Sequence, residues 1–362
     1  MPLGYGVPAE MLEGQELLGP ALLHAVRPAV RRRSRYVRVM DRTPLLLDEA
    51  VSSLRRGGLV AFPTETVYGL GADASNGRAV ARIYELKGRP PTHPVIVHLG
   101  SAGMVGEWAV DLTDDALAAA DAFWPGPLTL VVARHRRVPD EVTGGSDTVG
   151  LRVPAHKLAL ALLGAFGGGV AAPSANRFGR VSPTTAQAVR EEFGDGIHVV
   201  LDGGPCRVGV ESTVVDATGP RLRVLRPGAV TTRQLSQLLG YDVSVATSST
   251  VRAPGTLPSH YAPAARVELA ELDGVGARAA QLSAEGAAVG VLTPVHPGDL
   301  ASTKVRFLAV MATPEDYARG LYEALRAADR RGIDVVLAVA PQPGGIADAV
   351  IDRLTRAAAT VR

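Results

Sequence analysis

The order of apolar and polar residues predicts alternating helices and strands from residue 45 onward. A helical pattern covers residues 45–56, Gly57 and Gly58 end it, and the apolar run 59–62 follows as a strand. Short apolar runs typical of buried strands recur at 95–99, 128–133, 149–153, 169–172, 199–202 and 222–225. Helical patterns lie between several of them, at 76–86, 114–123, 156–166 and 184–193, with Ser182 and Pro183 as cap and first-turn residue of the last. Because strands outnumber helices, we expect a twisted mixed sheet with flanking helices.

Residues 247–263 separate this region from a second predicted domain. They are rich in Ser, Thr and Pro, which favours an extended linker. Beyond them, helices at 274–285, 314–331 and 346–358 alternate with strands at 288–292 and 334–340, and Thr313 and Pro314 predict the start of the longest helix. The predicted organisation is a basic extension over 1–40, an α/β domain over 41–246, the linker over 247–263, and a smaller Rossmann-like α/β domain over 264–362.

Composition supports two folded domains and narrows the class of protein. The chain has 362 residues, of which 46% are hydrophobic and 20% charged, as in ordinary globular proteins. Six arginines and no acid lie between His24 and Met40, which predicts a solvated, poorly ordered extension, with a phosphate-binding arm or a transit-like segment as the alternatives. The net charge of +2 and the scarcity of aromatic residues indicate no general RNA-binding surface.

Cysteine usage and hydropathy indicate a cytoplasmic protein. The single cysteine, Cys206, excludes a disulfide-stapled scaffold and a multi-cysteine zinc site. No apolar run approaches the roughly 20 residues that span a bilayer, and the first residues lack the order of a signal peptide. We therefore expect neither membrane insertion nor export.

Common catalytic and nucleotide-binding motifs are absent from the sequence. It contains no GxxxxGK followed by Ser or Thr, no HExxH and no GxSxG, so P-loop, zincin and α/β-hydrolase chemistry lack support. The segment 69–74, GLGADA, matches the loose dinucleotide pattern, but Pro63 precedes it and no clean strand-to-helix turn follows. A Rossmann dinucleotide site is therefore not assigned there.

Three polar clusters stand where predicted elements end. They are PTETVYGLG at 63–71, KGRPPTHP at 87–94 and APSAN at 172–176. Each has an ordinary alternative, namely a hydrogen-bonded turn, a solvated helix end and a capped loop. In the second cluster, prolines stiffen the backbone that carries Lys87 and Arg89. Lys87 can bind phosphate as a point charge, and Arg89 can donate two parallel hydrogen bonds to phosphate oxygens. Ligands of open α/β sheets bind beyond strand ends, so the three clusters together predict one binding site.

Seven ordered motifs extend this pattern and resemble the YrdC-type threonylcarbamoyl-AMP synthases. They are PTETVYGLG, KGRPPTHPVIVH, WPGPLTLVV, TVGLRVPAH, AAPSAN, GVESTVVD and LRPGAVT, and APGTLPSHYAP with GGIADAVIDRL resembles the long two-domain form. The resemblance implies synthesis of L-threonylcarbamoyl adenylate and pyrophosphate from L-threonine, bicarbonate or CO2, and ATP with Mg²⁺. A separate transferase then forms N6-threonylcarbamoyladenosine beside the tRNA anticodon, and this chain is itself a candidate for tRNA contact.

The resemblance also implies roles for individual residues. The implied threonine-contacting residues are Thr66, His98, Arg152, Ala172 and Ser212. The implied ATP-binding residues are Lys87, Arg89, His93, Thr148, Ser174, Asn176, Ser182, Arg226, His260 and Tyr261. His93 departs from the pattern, because many relatives have Asn there. His260 and Tyr261 resemble a linker segment that folds back over the nucleotide, which implies a lid that excludes water.

Several assignments stay open at this level. Without the resemblance, Arg152 would be expected to face solvent, and Ser182 to cap a helix. Glu65, Glu211 and Asp202 are candidates for holding magnesium or for organising loops, and no metal ligand is assigned. An RNA-binding module without nucleotide turnover is the alternative function. Carbamoyl transfer in hydrogenase maturation is a third, but those larger proteins carry Cys-rich zinc motifs that this chain lacks.

Overall fold

The computed structural model describes residues 43–246, 251–252, 254–255, 261–295 and 305–359. The predicted extension over residues 1–40, much of the predicted linker and the candidate residue His260 lie outside the described residues. Within the described ranges, no helix combines the length and the apolar character that a membrane span requires.

The first sheet joins nine strands of the described chain. They are β1 Val60–Phe62, β2 Gly69–Asp73, β3 Ile96–His98, β4 Leu128–Ala133, β5 Thr148–Arg152, β6 Val170–Ala171, β7 Val199–Val200, β8 Thr213–Asp216 and β9 Arg223–Arg226. Their order is β7-β1-β2-β6-β3-β5-β4-β8-β9. Strands β3 and β5 pair in parallel, as do β4 and β8, whereas β2–β6, β3–β6 and β4–β5 are antiparallel. The predicted mixed sheet is confirmed.

Helices flank this sheet, and several of them begin at a side-chain cap. They are α1 Thr43–Arg55, α2 Gly77–Lys87, α3 Asp114–Phe123, α4 Asp140–Thr143, α5 Lys157–Phe166, α6 Ala186–Phe193 and α7 Thr232–Leu239. Asn76 caps α2 and Thr113 caps α3 by accepting a backbone hydrogen bond. The prediction that Ser182 caps the helix after it is wrong. Thr185 accepts from the amide of Ala188 and caps α6, while Ser182 is buried and bonded elsewhere.

Gly71 explains why the sequence pattern misses strand β2. A Cβ at Gly71 would lie 2.8 Å from Phe62 Cε1 and from Val170 Cγ1, so glycine is required where the strand passes its neighbours. Glycine has low strand propensity, and the segment therefore resembles a loop when read alone. The strand forms because the fold packs the side chains of Phe62 and Val170 against the backbone at Gly71.

A second, fully parallel sheet lies in the C-terminal part of the described chain. Its strands are β10 Arg266–Leu269, β11 Val289–Thr293, β12 Val305–Val310 and β13 Val335–Ala338, in the order β10-β13-β11-β12, and its helices are α8 Val275–Ala284, α9 Pro314–Arg330 and α10 Ala347–Ala358. Thr313 caps α9 and Pro314 occupies its first turn, as predicted. The sequence pattern misses strands β10 and β12. Strand β10 has no apolar run, whereas β12 contains the run 307–310, and the residues of both strands are largely half-buried or exposed.

The two sheet regions share a buried interface. Val67, Val181 and Val210 of the first region pack in one apolar cluster with residues of α9 and α10. An ion pair between Arg326 of α9 and Glu192 of α6, at 3.1 Å, crosses the same interface. The C-terminal region therefore covers the loops that precede β8, where the candidate site lies.

Candidate active site

One pocket opens between described residues of the linker and the loops around β2, β3, β5 and β8. Its lining includes all five residues that the sequence predicts for threonine and four of those predicted for ATP. The lining residues are Thr64, Thr66, Val67, Gly69, Arg89, Ile96, His98, Arg152, Ala172, Pro173, Ser174, Glu211, Ser212, Arg226, Pro254, Gly255 and Tyr261. The cavity measures about 50 Å³, room for a few water molecules. Polar groups from segments far apart in sequence thus converge on one small space.

The turn after β1 presents an acceptor to this pocket. The hydroxyl of Thr64 donates to the carbonyl of Val67 at 2.7 Å and lies 2.8 Å from the hydroxyl of Thr66. Since the single Thr64 proton is used on Val67, the Thr66 hydroxyl must donate to Thr64. The remaining lone pairs of Thr66 are then available to an N–H or O–H group in the pocket.

A buried ion pair forms one wall of the pocket. Arg152 Nη2 lies 2.7 Å from Glu65 Oε1, and both side chains are at most 4% exposed. Arg152 Nε also donates to the carbonyl of Gly126 at 3.2 Å, and Glu65 Oε2 accepts from the amide of Ala155 at 3.0 Å. The expectation from sequence alone, that Arg152 faces solvent, is wrong. Its guanidinium is held in place and can present a donor edge to a carboxylate.

His98 contributes a neutral imidazole. Burial, followed by the charge of Arg152, lowers the pKa of His98 to about 3. The ring packs edge-to-face on Phe62 with centroids 5.9 Å apart. Its Nδ1 atom is buried and has no hydrogen-bond partner among the described residues. An unpartnered buried nitrogen beside an arginine marks a position where a ligand would complete the hydrogen bonding.

Ser212 and Ala172 close the remaining sides. The Ser212 hydroxyl lies 2.8 Å from the hydroxyl of Thr129 and accepts from Arg226 Nη2 at 3.2 Å. Arg226 also donates to the Ser212 carbonyl at 2.8 Å and to the carbonyl of Pro254 at 3.0 Å. The amide of Ala172 donates to Ile96, which fixes the backbone of the AAPSAN segment against β3.

The predicted ATP-binding residues divide into two groups. Arg89, Ser174, Arg226 and Tyr261 line the pocket. Lys87 and Asn176 lie behind it and support the loop: the Lys87 ammonium donates to the carbonyl of Ser174 at 2.6 Å and to that of Asn176, and the Asn176 amide donates to Arg177 and Arg180. Burial, followed by the charge of Arg89, holds the pKa of Lys87 well below its usual value.

The other predicted ATP-binding residues stand apart from this lining. The His93 ring packs on Phe178 with centroids 5.5 Å apart, and Thr148 pairs with Ala133 at the start of β5. The Ser182 hydroxyl donates to Glu211 Oε1 at 2.6 Å, so it reaches the pocket wall through that carboxylate. The roles assigned to all of these residues stay predictions.

Glu211 joins the pocket to the C-terminal region. Its Oε2 accepts from the hydroxyl of Tyr322 at 2.8 Å and from Arg353 Nε at 2.9 Å. Burial alone would raise the pKa of Glu211, but the charges of Arg353 and Arg226 and the bond from Ser182 outweigh it and lower the pKa to about 2. Sequence reasoning considered Glu211 but missed Arg353. The sequence does mark Arg353, because it is a cation on the apolar face of α10, between the buried residues Val350 and Ala357.

No metal ligand set is evident in the described part of the chain. No group of three or more His, Cys, Asp or Glu residues there lies close enough together to hold a metal ion. Glu65 and Glu211 are engaged by arginines, and Asp202 lies 3.8 Å from Arg190 at the surface. Mg²⁺ bound mainly by phosphate oxygens and water would need few protein ligands.

Comparisons with known proteins cover nearly the whole described chain. The family model described as Telomere recombination matches residues 52–228, and the model described as Threonylcarbamoyl-AMP synthase, C-terminal domain, matches residues 230–359. A relative from Pyrococcus abyssi named threonylcarbamoyl-AMP synthase is 42% identical over 322 residues, which are 85% of this chain and 92% of the relative. A Bacillus subtilis relative of the same name is 38% identical and covers 86% and 92%.

A solved structure has the same two-region architecture. The crystal structure of P. abyssi Sua5 complexed with L-threonine matches with a TM-score of 0.80 and 40% identity, over 86% of this chain and 94% of that one. The similarity in fold and in sequence to the P. abyssi protein therefore extends over both sheet regions.

Proposed function

The chain belongs to the threonylcarbamoyl-AMP synthase family, and from this membership we propose that its pocket condenses L-threonine, bicarbonate and ATP into L-threonylcarbamoyl adenylate and pyrophosphate. The product serves N6-threonylcarbamoyladenosine formation in tRNA. We assign the catalytic domain to residues 41–246, the linker to 247–263 and the C-terminal domain to 264–362. A separate transferase in the cytoplasm accepts the product.

The observation that carries this proposal is the convergence of Thr66, His98, Arg152, Ala172 and Ser212 on one pocket. In sequence they span almost 150 residues, so only the fold brings them together. In the proposed complex, Arg152 binds the threonine carboxylate while Glu65 keeps the guanidinium oriented. The amine and the hydroxyl of threonine form hydrogen bonds with the neutral imidazole of His98 and with the hydroxyls of Thr66 and Ser212.

ATP occupies the side of the pocket lined by Arg89, Ser174, Arg226 and Tyr261. The two guanidinium groups neutralise phosphate charge, and Lys87 acts by holding the Ser174 carbonyl. Mg²⁺ bound to the polyphosphate supplies further charge neutralisation when ATP is present. The linker residues Pro254, Gly255 and Tyr261 line the same pocket, and we infer that they act as a lid over the bound nucleotide.

The chemistry needs positioning more than covalent help from the protein. Bicarbonate takes up a proton and releases water to give carbon dioxide. The neutral threonine amine attacks the carbon of carbon dioxide and passes a proton to solvent, which gives a carbamate. A carbamate oxygen then attacks the α-phosphorus of ATP in line, the bond to the bridging oxygen of the β-phosphate breaks, and pyrophosphate leaves. Carbamates and their phosphate anhydrides hydrolyse readily, so a pocket that excludes water during the reaction suits both steps.

Pyrophosphate release from the purified full-length protein tests the proposal. With ATP and Mg²⁺ we expect release only when threonine and bicarbonate are both present, and serine should replace threonine poorly. Release that continues without either substrate would refute the assignment. Salt-sensitive RNA binding without any turnover would instead support the alternative of an RNA-binding module.

A further inference from the structure

Arg353 is a fully buried arginine of the C-terminal domain. It lies on α10, its side chain is 0% exposed, and it is among the largest side chains in the described interior. Burying an arginine costs free energy unless charged and polar partners surround it. The partners of Arg353 therefore indicate what its burial serves.

Those partners link α10 to the catalytic domain. Arg353 Nε donates to Glu211 Oε2 at 2.9 Å, and Nη1 donates to Asp352 at 2.6 Å. The guanidinium also lies over the ring of Tyr261, 5.2 Å from its centroid. Glu211 and Tyr261 both line the pocket, whereas Arg353 does not. One arginine thus holds two pocket residues from behind.

The ring of Tyr261 is held by the same group of residues. It stacks on Tyr322 of α9 with centroids 5.8 Å apart, and the Tyr322 hydroxyl donates to Glu211. The backbone of Tyr261 has φ of 65°, an uncommon conformation for a bulky residue that surrounding contacts must maintain. Arg353 and Tyr322 therefore fix where the linker returns over the pocket.

The contact between Arg353 and Glu211 affects the nucleotide because Glu211 is a negatively charged residue of the pocket lining. After Arg353, Arg226 is the next cation that acts on the Glu211 carboxylate. Without Arg353, Arg226 would be the main cation that compensates the Glu211 carboxylate, and the carboxylate would repel phosphate and attract Arg226. Arg226 would then be withdrawn from the polyphosphate.

We propose that Arg353 is a positioning residue for nucleotide binding, which draws Glu211 and Tyr261 toward the C-terminal domain and leaves Arg226 available to ATP. The inference rests on the proposed use of ATP by this pocket. It assigns the C-terminal domain an indirect part in the active site, since the arginine that supports two residues of the pocket wall lies on a helix of that domain.

Four variants test this role: Arg353→Gln, Glu211→Gln, the double variant, and Arg326→Gln. ATP affinity is measured by calorimetry, and KM values for ATP and threonine by pyrophosphate release. We expect Arg353→Gln to weaken ATP binding by about tenfold or more while the threonine KM changes by less than about threefold. The double variant, which removes both charges, should recover ATP affinity to within about threefold of wild type.

Arg326→Gln is the matched control, because it breaks the ion pair with Glu192 across the same interface and does not touch Glu211. An unchanged ATP affinity in this variant is expected. An equal loss in Arg326→Gln and Arg353→Gln would show that any loosening of the interface suffices, and would overturn the specific role of Arg353.

Other outcomes decide the remaining cases. Wild-type ATP binding in a folded Arg353→Gln protein, or a double variant no better than the single one, refutes the inference and leaves the proposed function intact. If Arg353→Gln does not fold, the double variant decides, and its failure to fold or to bind ATP also counts against the inference. If the wild type binds ATP but shows no turnover that requires threonine and bicarbonate, the proposed function fails while the calorimetric comparison still tests Arg353.

Discussion

Replacing Arg152 by alanine should separate threonine binding from ATP binding. The substitution removes the guanidinium that lies 2.7 Å from Glu65 and is proposed to bind the threonine carboxylate. Hydrogen bonds to charged groups contribute about 1.5–3 kcal/mol. The threonine KM should therefore rise by roughly 10- to 150-fold, while the ATP KM stays within about threefold.

The same substitution has a cost in stability that must be distinguished from the loss of affinity. Glu65 would stay buried without its partner, which costs about 3–5 kcal/mol of the free energy of unfolding. In the double variant Arg152→Ala with Glu65→Gln, no charge is left unpaired, so most of this stability should return while the threonine KM stays high. Arg223→Ala is the matched control, because its ion pair with Asp216 is half exposed at the arginine and should contribute about 1 kcal/mol or less.

The assay is pyrophosphate release at varied threonine and varied ATP, with urea unfolding of each variant to measure stability. Equal increases in both KM values for Arg152→Ala would refute the proposed role of Arg152. So would a double variant that regains threonine affinity together with stability.

Three further predictions concern other parts of the pocket. Lys87→Met removes the ammonium that donates to the carbonyls of Ser174 and Asn176, and it should raise the ATP KM about tenfold or more. Lys157→Met, at the exposed start of α5, is the control and should leave the ATP KM unchanged. Equal effects of the two substitutions would contradict the proposal that Lys87 supports the Ser174 loop. Because burial and Arg152 lower the pKa of His98 to about 3, NMR of the ring should show it neutral at pH 5 and the threonine KM should show no inflection from His98 near pH 6.5. The contribution of neutral His98 to the free energy of unfolding is fully present above pH 6.5 and is lost as the pH falls toward 3. Protonation of the His98 ring near pH 6.5 in the folded protein would contradict this prediction. Gly255→Ala places a Cβ 2.3 Å from Tyr261 Oη and 2.6 Å from Arg226 Nη1, and this steric clash should raise the ATP KM about tenfold. Gly240→Ala is the control, because Gly240 has a similar positive φ but open space around its Cβ position. Equal ATP KM values in the two variants would show that the clash at Gly255 has no effect on ATP.

Sequence patterns predict the elements whose signals are local. The apolar run of β4 and the Thr313–Pro314 start of α9 need only neighbouring residues to be recognised. Strand β2 is missed because Gly71 is required by contacts with Phe62 and Val170 that form only in the folded protein. Likewise, Ser182 has the residue type of a cap, but tertiary contacts direct its hydroxyl to Glu211 and leave the cap to Thr185.

The candidate site shows the same limit in its electrostatics. The PTETVYGLG and AAPSAN motifs indicate polar strand ends, but no residue near Arg152 in sequence reveals that it pairs with Glu65, 86 intervening residues away. Arg353 lies farther still from Glu211 and is marked in sequence only as a cation on an apolar helix face. Residue types that can bind ligands are visible in sequence, whereas the pairing that orients them depends on the fold.

The most direct test of the central claim is the identity of the product. Wild-type protein is incubated with ATP, Mg²⁺, L-threonine and ¹³C-labelled bicarbonate, and the nucleotides are separated and weighed by mass spectrometry. We expect an adenylate that carries threonine and one labelled carbon, with pyrophosphate in equal amount. An unlabelled threonyl adenylate, or ADP and phosphate alone, would contradict the account.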